Sequence, residues 1–186
     1  MVGIPELWLP IVVAAALVFV TSAILHMALT YHRADYRKLP NEDEVADALR
    51  RGSVAAGQYM LPWCANDKER AKPEMQEKFK RGPVGIVTLL PAGGHSMGKY
   101  LALWFVFCLI VSLFAAYLTG RVHPAGADYR AVFRFAGTVA FAAYGLGHFA
   151  DSIWKGQPWS NTLRAMIDGL IFAGVTGGAF GWLWPR

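Results

Sequence analysis

Cysteine is nearly absent from this chain. The two present, Cys64 in a charged loop and Cys108 in an apolar run, fall at different expected depths. No disulfide scaffold and no cysteine-based zinc site can be built from them. Charge is scarce as well: Asp, Glu, Lys and Arg make up only 17% of 186 residues, while 55% are apolar and the mean hydropathy is +0.32. An ordinary soluble domain does not look like this. Catalytic signatures are missing too. No GxSxG, HExxH, Walker loop or dinucleotide GxGxxG occurs, and "GHSMGK" at 94–99 lacks both the spacing and the preceding strand of a phosphate loop. His95 and Ser96 are adjacent in the chain, which places them poorly for a nucleophile–base pair. Acidic residues are outnumbered, 13 against 18 Lys and Arg, giving a net charge of +5. The basic residues gather between apolar runs, a pattern of membrane topology rather than of a nucleic-acid-binding face.

Long apolar runs are what the chain does have. Leu7 to Leu25 holds 19 residues without a charge, and the pattern continues to Thr30. Glu6 stands where a signal peptide would be basic and no small-residue cleavage site follows, so a retained helix is expected. Tyr100 to Thr119 is a second run of 20 uncharged residues. The third, Phe135 to Ala150, reaches full length if Arg134 extends its head toward the surface. The fourth, Gly169 to Trp184, needs the polar turns from Thr162 to Asp168. A span needs about 20 mostly apolar residues, and runs this long are rare in soluble cores. The expected fold is therefore all-α: one polytopic domain with four transmembrane helices (7–31, 99–120, 129–154 and 161–184) and a large cytoplasmic loop, 32–98, between the first two. That loop holds 11 Lys or Arg, and Lys155 and Arg164 lie in or beside the 154–164 link. The positive-inside rule then puts both on the cytoplasmic side and both termini outside. Within the loop, "LPNEDEVADALRRGS" reads as a helix capped by Asn41, and "NDKERAKPEMQEKFKRG" as a solvated helix or coil. "GPVGIVTLLPAGGHSMG" reads as an interfacial segment too short to cross.

In lipid, close backbone approach rather than apolar burial holds helices together, so small residues mark contact faces. Ala165, Gly169, Ala173, Gly177 and Gly181 recur at spacing four, with Gly174 and Gly178 as a second pair. Cys108, Ser112, Ala116 and Gly120 form a second row, and Ala14, Ser22, His26 and Thr30 a third. The partner of each face is another helix of this chain or of another membrane subunit.

Ionisable groups cluster at one depth. At 1.5 Å per residue, His26 lies about 8 Å, His148 about 9 Å, Asp151 about 4–5 Å and Asp168 about 12 Å from the cytoplasmic surface. Such groups are costly in hydrocarbon and should face the bundle interior or pair with each other. His148 and Asp151 share a helical face, as do Arg164 and Asp168, so these four form an expected polar network. On the far side, Arg130 and Arg134 have Glu6, Asp128 and the C-terminal carboxylate as candidate partners. Three readings are open for the layer of His26, His148, Asp151 and Asp168. It is a structural network; or a cofactor site, with His26 and His148 as axial ligands of a b-type haem or with the two Asp holding a metal; or part of a proton or ion path.

The stretches "SMGKYLALWFVFCLIVSLFAAYLTG", "GHFADSIWKGQPWS" and "DGLIFAGVTGGAFGWLWP" resemble a group of small four-span bacterial inner-membrane proteins. The resemblance covers about the last half of the chain. It implies a multi-pass protein of that membrane and carries over no site residue. The expected function is that of a structural or accessory transmembrane subunit of a larger membrane complex, bioenergetic in character, with the lipid bilayer and other subunits as partners. A haem- or metal-binding redox protein using His26 and His148 is the alternative, and a small proton or ion transporter the lesser one.

Overall fold

The structure is a computed structural model that describes residues 1–93 and 96–186; the expected His95–Ser96 and "GHSMGK" features fall partly outside the described residues. The chain forms two compact units. The first comprises Met1–Asp35, Ser96–Ser152 and Gln157–Arg186, and the second Tyr36–His95 with Ile153–Gly156.

The first unit is a helix bundle. A 3-10 turn, Ile4–Leu7, has Pro5 as its second residue, where a fixed φ suits a helix start, and leads into α1, Trp8–Ala23. A π turn, Ile24–Ala28, continues it and closes with Leu29 N–H donating to the Ile24 carbonyl at 3.2 Å. The helix thus ends short of the expected Tyr31, because Leu29 turns extended. A separate 3-10 turn, Tyr31–Asp35, follows. The long α5 is Met97–Val122 and α8 is Trp159–Trp182. Among the described residues, three helical stretches are long and apolar enough to cross a membrane: Ile4–Ala28, Met97–Val122 and Trp159–Trp182. The expected third crossing is built from pieces: α6 (Tyr129–Phe141), a π turn (Ala142–Leu146) and α7 (His148–Lys155).

The core is made largely of small side chains. Ala14, Ala15, Ala115, Ala116, Ala136 and Ala140 are fully buried with Val18, Val132 and Phe180. The small-residue row on α8 lies where helices approach most closely. A Cβ added at Gly169 would stand 2.7 Å from the Cα of Gly145, and one at Gly177 2.6 Å from the Phe133 carbonyl oxygen. At Gly181 it would meet the Tyr129 ring at 2.7 Å. Ala173 is buried against α6, with its carbonyl 3.2 Å from where a Cβ of Gly137 would stand, and Ala165 is half-buried. On α5, Cys108, Ser112 and Ala116 are fully buried. Gly120 lies under the backbone of Val2, whose N–H donates to the Gly120 carbonyl at 2.9 Å. Gly174 has nothing within 4 Å of its would-be side chain.

The second unit holds α2 (Glu42–Arg51), β1 (Gly57–Leu61), α3 (Asp67–Arg70), α4 (Pro73–Arg81) and β2 (Gly85–Leu89). The α2 helix forms where acidic residues open it and Arg50 and Arg51 close it. Asn41 does not cap it through its side chain, however; its amide donates to the Glu44 carboxylate at 3.2 Å. Capping occurs instead at α3, where Asn66 accepts from Glu69 N–H at 2.9 Å while the Glu69 carboxylate accepts from Ala65 N–H at 2.8 Å. The segment expected to be interfacial contains β2, which pairs antiparallel with β1, with Leu61 opposite Gly85 and Gly57 opposite Leu89. This two-stranded ladder is absent from the all-helical expectation.

Candidate functional site

At one end of the bundle, the 3-10 turn Tyr31–Asp35 brings its polar side chains onto the first turns of α8. Asp168 is the centre. It is 4% exposed, and its two oxygens are approached by three groups from the α1 end of the chain. The Tyr31 hydroxyl donates to Oδ1. His32 Nε2 lies 2.8 Å from Oδ2, and His26 Nε2 lies 3.7 Å from the same oxygen. The two imidazoles are stacked, with centroids 4.2 Å apart and planes within 8° of parallel.

The far nitrogen of each histidine is occupied. His26 Nδ1 meets the Ser22 carbonyl at 3.0 Å, which makes it the protonated nitrogen because a carbonyl only accepts. Ser22 is itself held, since its hydroxyl donates to the Phe19 carbonyl at 2.8 Å and accepts from Trp104 Nε1 at 2.7 Å. His32 Nδ1 lies 2.6 Å from Asp35 Oδ2. The Asp35 carboxylate also accepts from Arg164 Nη1 at 2.5 Å, while Asn161 Nδ2 donates to the Asp35 carbonyl at 3.1 Å. Burial pushes the Asp35 carboxyl up, but hydrogen bonds from His32 and Arg164 and their charges outweigh it, leaving it below the usual carboxylate value. Burial, the hydrogen bond to Asp168 and the charges of Asp168 and Asp35 all push the Tyr31 phenol up, so it remains a donor.

Proton counting constrains the chain Asp35–His32–Asp168. Both ring nitrogens of His32 face carboxylate oxygens, and each contact needs one proton. The proton between His32 Nε2 and Asp168 Oδ2 occupies the place that an ion bound by the same two atoms would take, so metal binding there would release it.

His26, His32 and Asp168 offer ligand atoms that all lie within 4.8 Å of one another. A tetrahedral ion bound at about 2.0–2.1 Å sets its ligand atoms about 3.3 Å apart, which the 2.8 and 3.7 Å separations bracket; because the rings are stacked within 8° of parallel, one imidazole would have to turn for both Nε2 lone pairs to reach one ion. Each histidine presents Nε2 while Nδ1 is fixed by a carbonyl or a carboxylate, and the carboxylate is itself hydrogen-bonded. This is the outer-shell pattern of metal-bound imidazoles. The donor set of two imidazoles and one carboxylate suits a first-row divalent ion and leaves positions open.

The expected site residues distribute unequally over this arrangement. His26 and Asp168 are in it. His148 and Asp151 are not: His148 Nδ1 faces Asp151 Oδ2 at 3.9 Å on their own helix. The expected His26–His148 haem pair is thus replaced by a His26–His32 stack, whose 4.2 Å spacing leaves no room for a porphyrin between the rings. Arg164, expected opposite Asp168, pairs with Asp35. On the far side, the Asp128 carboxylate caps α6, accepting from Arg130 N–H at 2.9 Å and Ala131 N–H at 3.4 Å.

His32, Asp35 and Tyr31 did not emerge from the sequence, where Tyr31 read as the last residue of the first crossing and His32 and Asp35 as the first residues of a loop. The local signal was the spacing His32-x-x-Asp35, which places an imidazole beside a carboxylate in one helical turn. No protein-family model, curated protein or solved structure matches this chain. The reading of the site therefore rests on its geometry alone.

Proposed function

We propose that this is a multi-pass protein of the bacterial inner membrane that holds a first-row divalent metal ion, of the zinc or iron(II) class, through His26 Nε2, His32 Nε2 and Asp168 Oδ2. The observation that carries the proposal is the double constraint on the histidines: both Nδ1 atoms are engaged, so both Nε2 atoms converge on one buried carboxylate oxygen.

In this reading, α6 with α7 forms a fourth crossing beside the three long apolar helices. The Lys and Arg bias puts residues 32–98 on the cytoplasmic side and the metal near the inner leaflet's edge. Such an ion, with three protein ligands and open positions, can polarise a bound oxygen or lower the pKa of a bound water. Tyr31 orients the ligating carboxylate, and Asp35, held by Arg164, orients His32.

The test is metal content and affinity. Protein purified in mild detergent should carry close to one equivalent of zinc or iron, and metal-stripped protein should rebind Zn²⁺. Co²⁺ loading should give the visible bands of a low-coordinate N/O site. His32→Ala should abolish all three, while His148→Ala should abolish none. A protein that binds no divalent ion, or one whose binding tracks His148 rather than His32, defeats the proposal.

The accessory-subunit reading retains one favourable observation. Gly174 is open, and it lies in a cleft of about 320 Å³ lined also by Phe133, Arg134, Gly137 and Leu170. Small residues left open on a crossing helix suit another subunit's helix. Purification at native levels with chemical crosslinking tests it: a stable larger complex supports an accessory role, and a lone chain removes it. Ion transport draws less support. The fully buried polar groups in the middle of the bundle include the hydroxyls of Ser112 and Thr176, neutral groups rather than proton carriers.

A further inference from the structure

The β1–β2 ladder of the second unit has a face whose only polar side-chain group is the Tyr59 hydroxyl, which donates to the Ala55 carbonyl at 2.9 Å. Side chains alternate along a strand, so Tyr59, Leu61, Val87 and Leu89 share one face, with Gly57 and Gly85 opposite Leu89 and Leu61. This face is only partly covered: every residue of β1 is exposed, Leu61 by 47%, while Val87 and Leu89 on β2 are half-buried. Just past the Leu61–Gly85 end of the ladder, Trp63 is 68% and Val84 60% exposed. A two-stranded ribbon is marginal in water unless another layer covers it.

Basic charge arrives at the same end. The last turn of α4 carries Lys78, Lys80 and Arg81, with the exposed Lys80 Nζ 3.1 Å from Glu77 Oε1, a surface pair that a phosphate can replace. Gly82, at φ +64°, then turns the chain through Pro83 into Val84 and β2. Exposed Trp and aliphatic residues beside Lys and Arg match the chemistry of an anionic bilayer surface, where indole sits at headgroup depth and cations meet lipid phosphates. The chain also supplies the proximity, because the residues on either side of the second unit lead into helices apolar enough to cross a membrane.

We infer that the second unit docks on an anionic phospholipid surface, inserting Leu61, Trp63 and Val84 at the headgroup–acyl boundary while Lys78, Lys80 and Arg81 contact the phosphates. The inference is independent of the metal site. Docking would cover the apolar face that the ladder leaves open and would hold the loop against the membrane.

The experiment uses the full chain with Cys64→Ser and Cys108→Ala, carrying a spin label at Trp63→Cys, Val84→Cys or, as an exposed reference on α4, Glu74→Cys. The protein is reconstituted in vesicles containing phosphatidylglycerol and in vesicles of phosphatidylcholine alone. Relaxation by oxygen, which concentrates in the bilayer, is compared with relaxation by a water-soluble nickel chelate. In anionic vesicles, the labels at 63 and 84 should favour oxygen and the label at 74 nickel. Replacing Lys78, Lys80 and Arg81 together with Gln should lower the docked-to-free ratio on the order of 100-fold, from about fivefold per charge. Labels at 63 and 84 as open to nickel as the one at 74 in both vesicle types would overturn the inference. Protection that is the same in detergent micelles and in both vesicle types would also overturn it, by pointing to a protein contact instead. The label at 74 reports whether α4 is folded in each variant.

Discussion

The two ends of the helix bundle are closed in different ways. At the end where α1 begins, main-chain groups do most of the work. Val2 N–H meets the Gly120 carbonyl, Gly126 N–H meets the Pro185 carbonyl at 2.8 Å, and Trp184 Nε1 donates to the Pro124 carbonyl at 2.9 Å. The nearby Asp128 carboxylate is absorbed by a helix cap. At the end where α1 finishes, side chains meet side chains: Arg164, Asp35, His32, Asp168, Tyr31 and His26 form one connected set. Backbone closure can be made by almost any sequence that turns correctly. Side-chain closure with titratable groups is costly at a bilayer edge, so the groups must pair with one another or with a ligand.

The sharpest way to break this contrast is to remove the central carboxylate. Asp168→Ala should reduce Zn²⁺ affinity by more than the roughly 100-fold that loss of an outer-shell partner costs, read by competition with a chromophoric chelator. Asp35→Asn leaves all three proposed ligands in place but removes the charge behind His32. Its affinity should fall about 10- to 100-fold, and an unchanged affinity would show that the outer shell is idle. At the other end, Gly120→Ala drives a Cβ into the Val2 backbone. Thermal melting in detergent should show a loss of about 1–3 kcal/mol, with metal affinity untouched. Asp128→Ala should cost about 1 kcal/mol by removing the α6 cap, again without effect on metal. The smallest effect is a pH dependence in metal-free protein. Asp35 is held below its ordinary value of 3.8, so its contribution is present above that value and lost as pH falls through the lower folded one. Wild-type stability should therefore drop more steeply than that of Asp35→Asn below about pH 4.

Legibility in the sequence followed the range of the interactions. The apolar runs of α1, α5 and α8 could be read because membrane compatibility is a property of contiguous residues. The row from Gly169 to Gly181 could be read because helical spacing turns a sequence interval into a face. His26 and Asp168 were found by depth, which needs only a helix end and a rise per residue. His148 and Asp151 were grouped with them by the same argument; helical spacing brings those two within 3.9 Å of each other, while equal depth says nothing about rotation around the helix axis. His32 and Asp35 were missed because α1 breaks at Leu29, and the following 3-10 turn brings back residues that an unbroken helix would have carried out into the loop. The β1–β2 ladder was missed because no short turn joins its strands; α3 and α4 lie between them.

The sequence by itself determined that the chain is mostly helical, that its long apolar stretches suit a bilayer, and that its titratable residues collect toward one side. Composition and local periodicity are enough for those conclusions, since each depends on neighbours within a few turns. Only the tertiary structure decided that His32, 136 residues from Asp168, becomes its closest imidazole, that Arg164 serves Asp35 rather than Asp168, and that two strands pair within the loop. Those contacts depend on how separate segments rotate and return, and packing of the whole bundle sets that geometry.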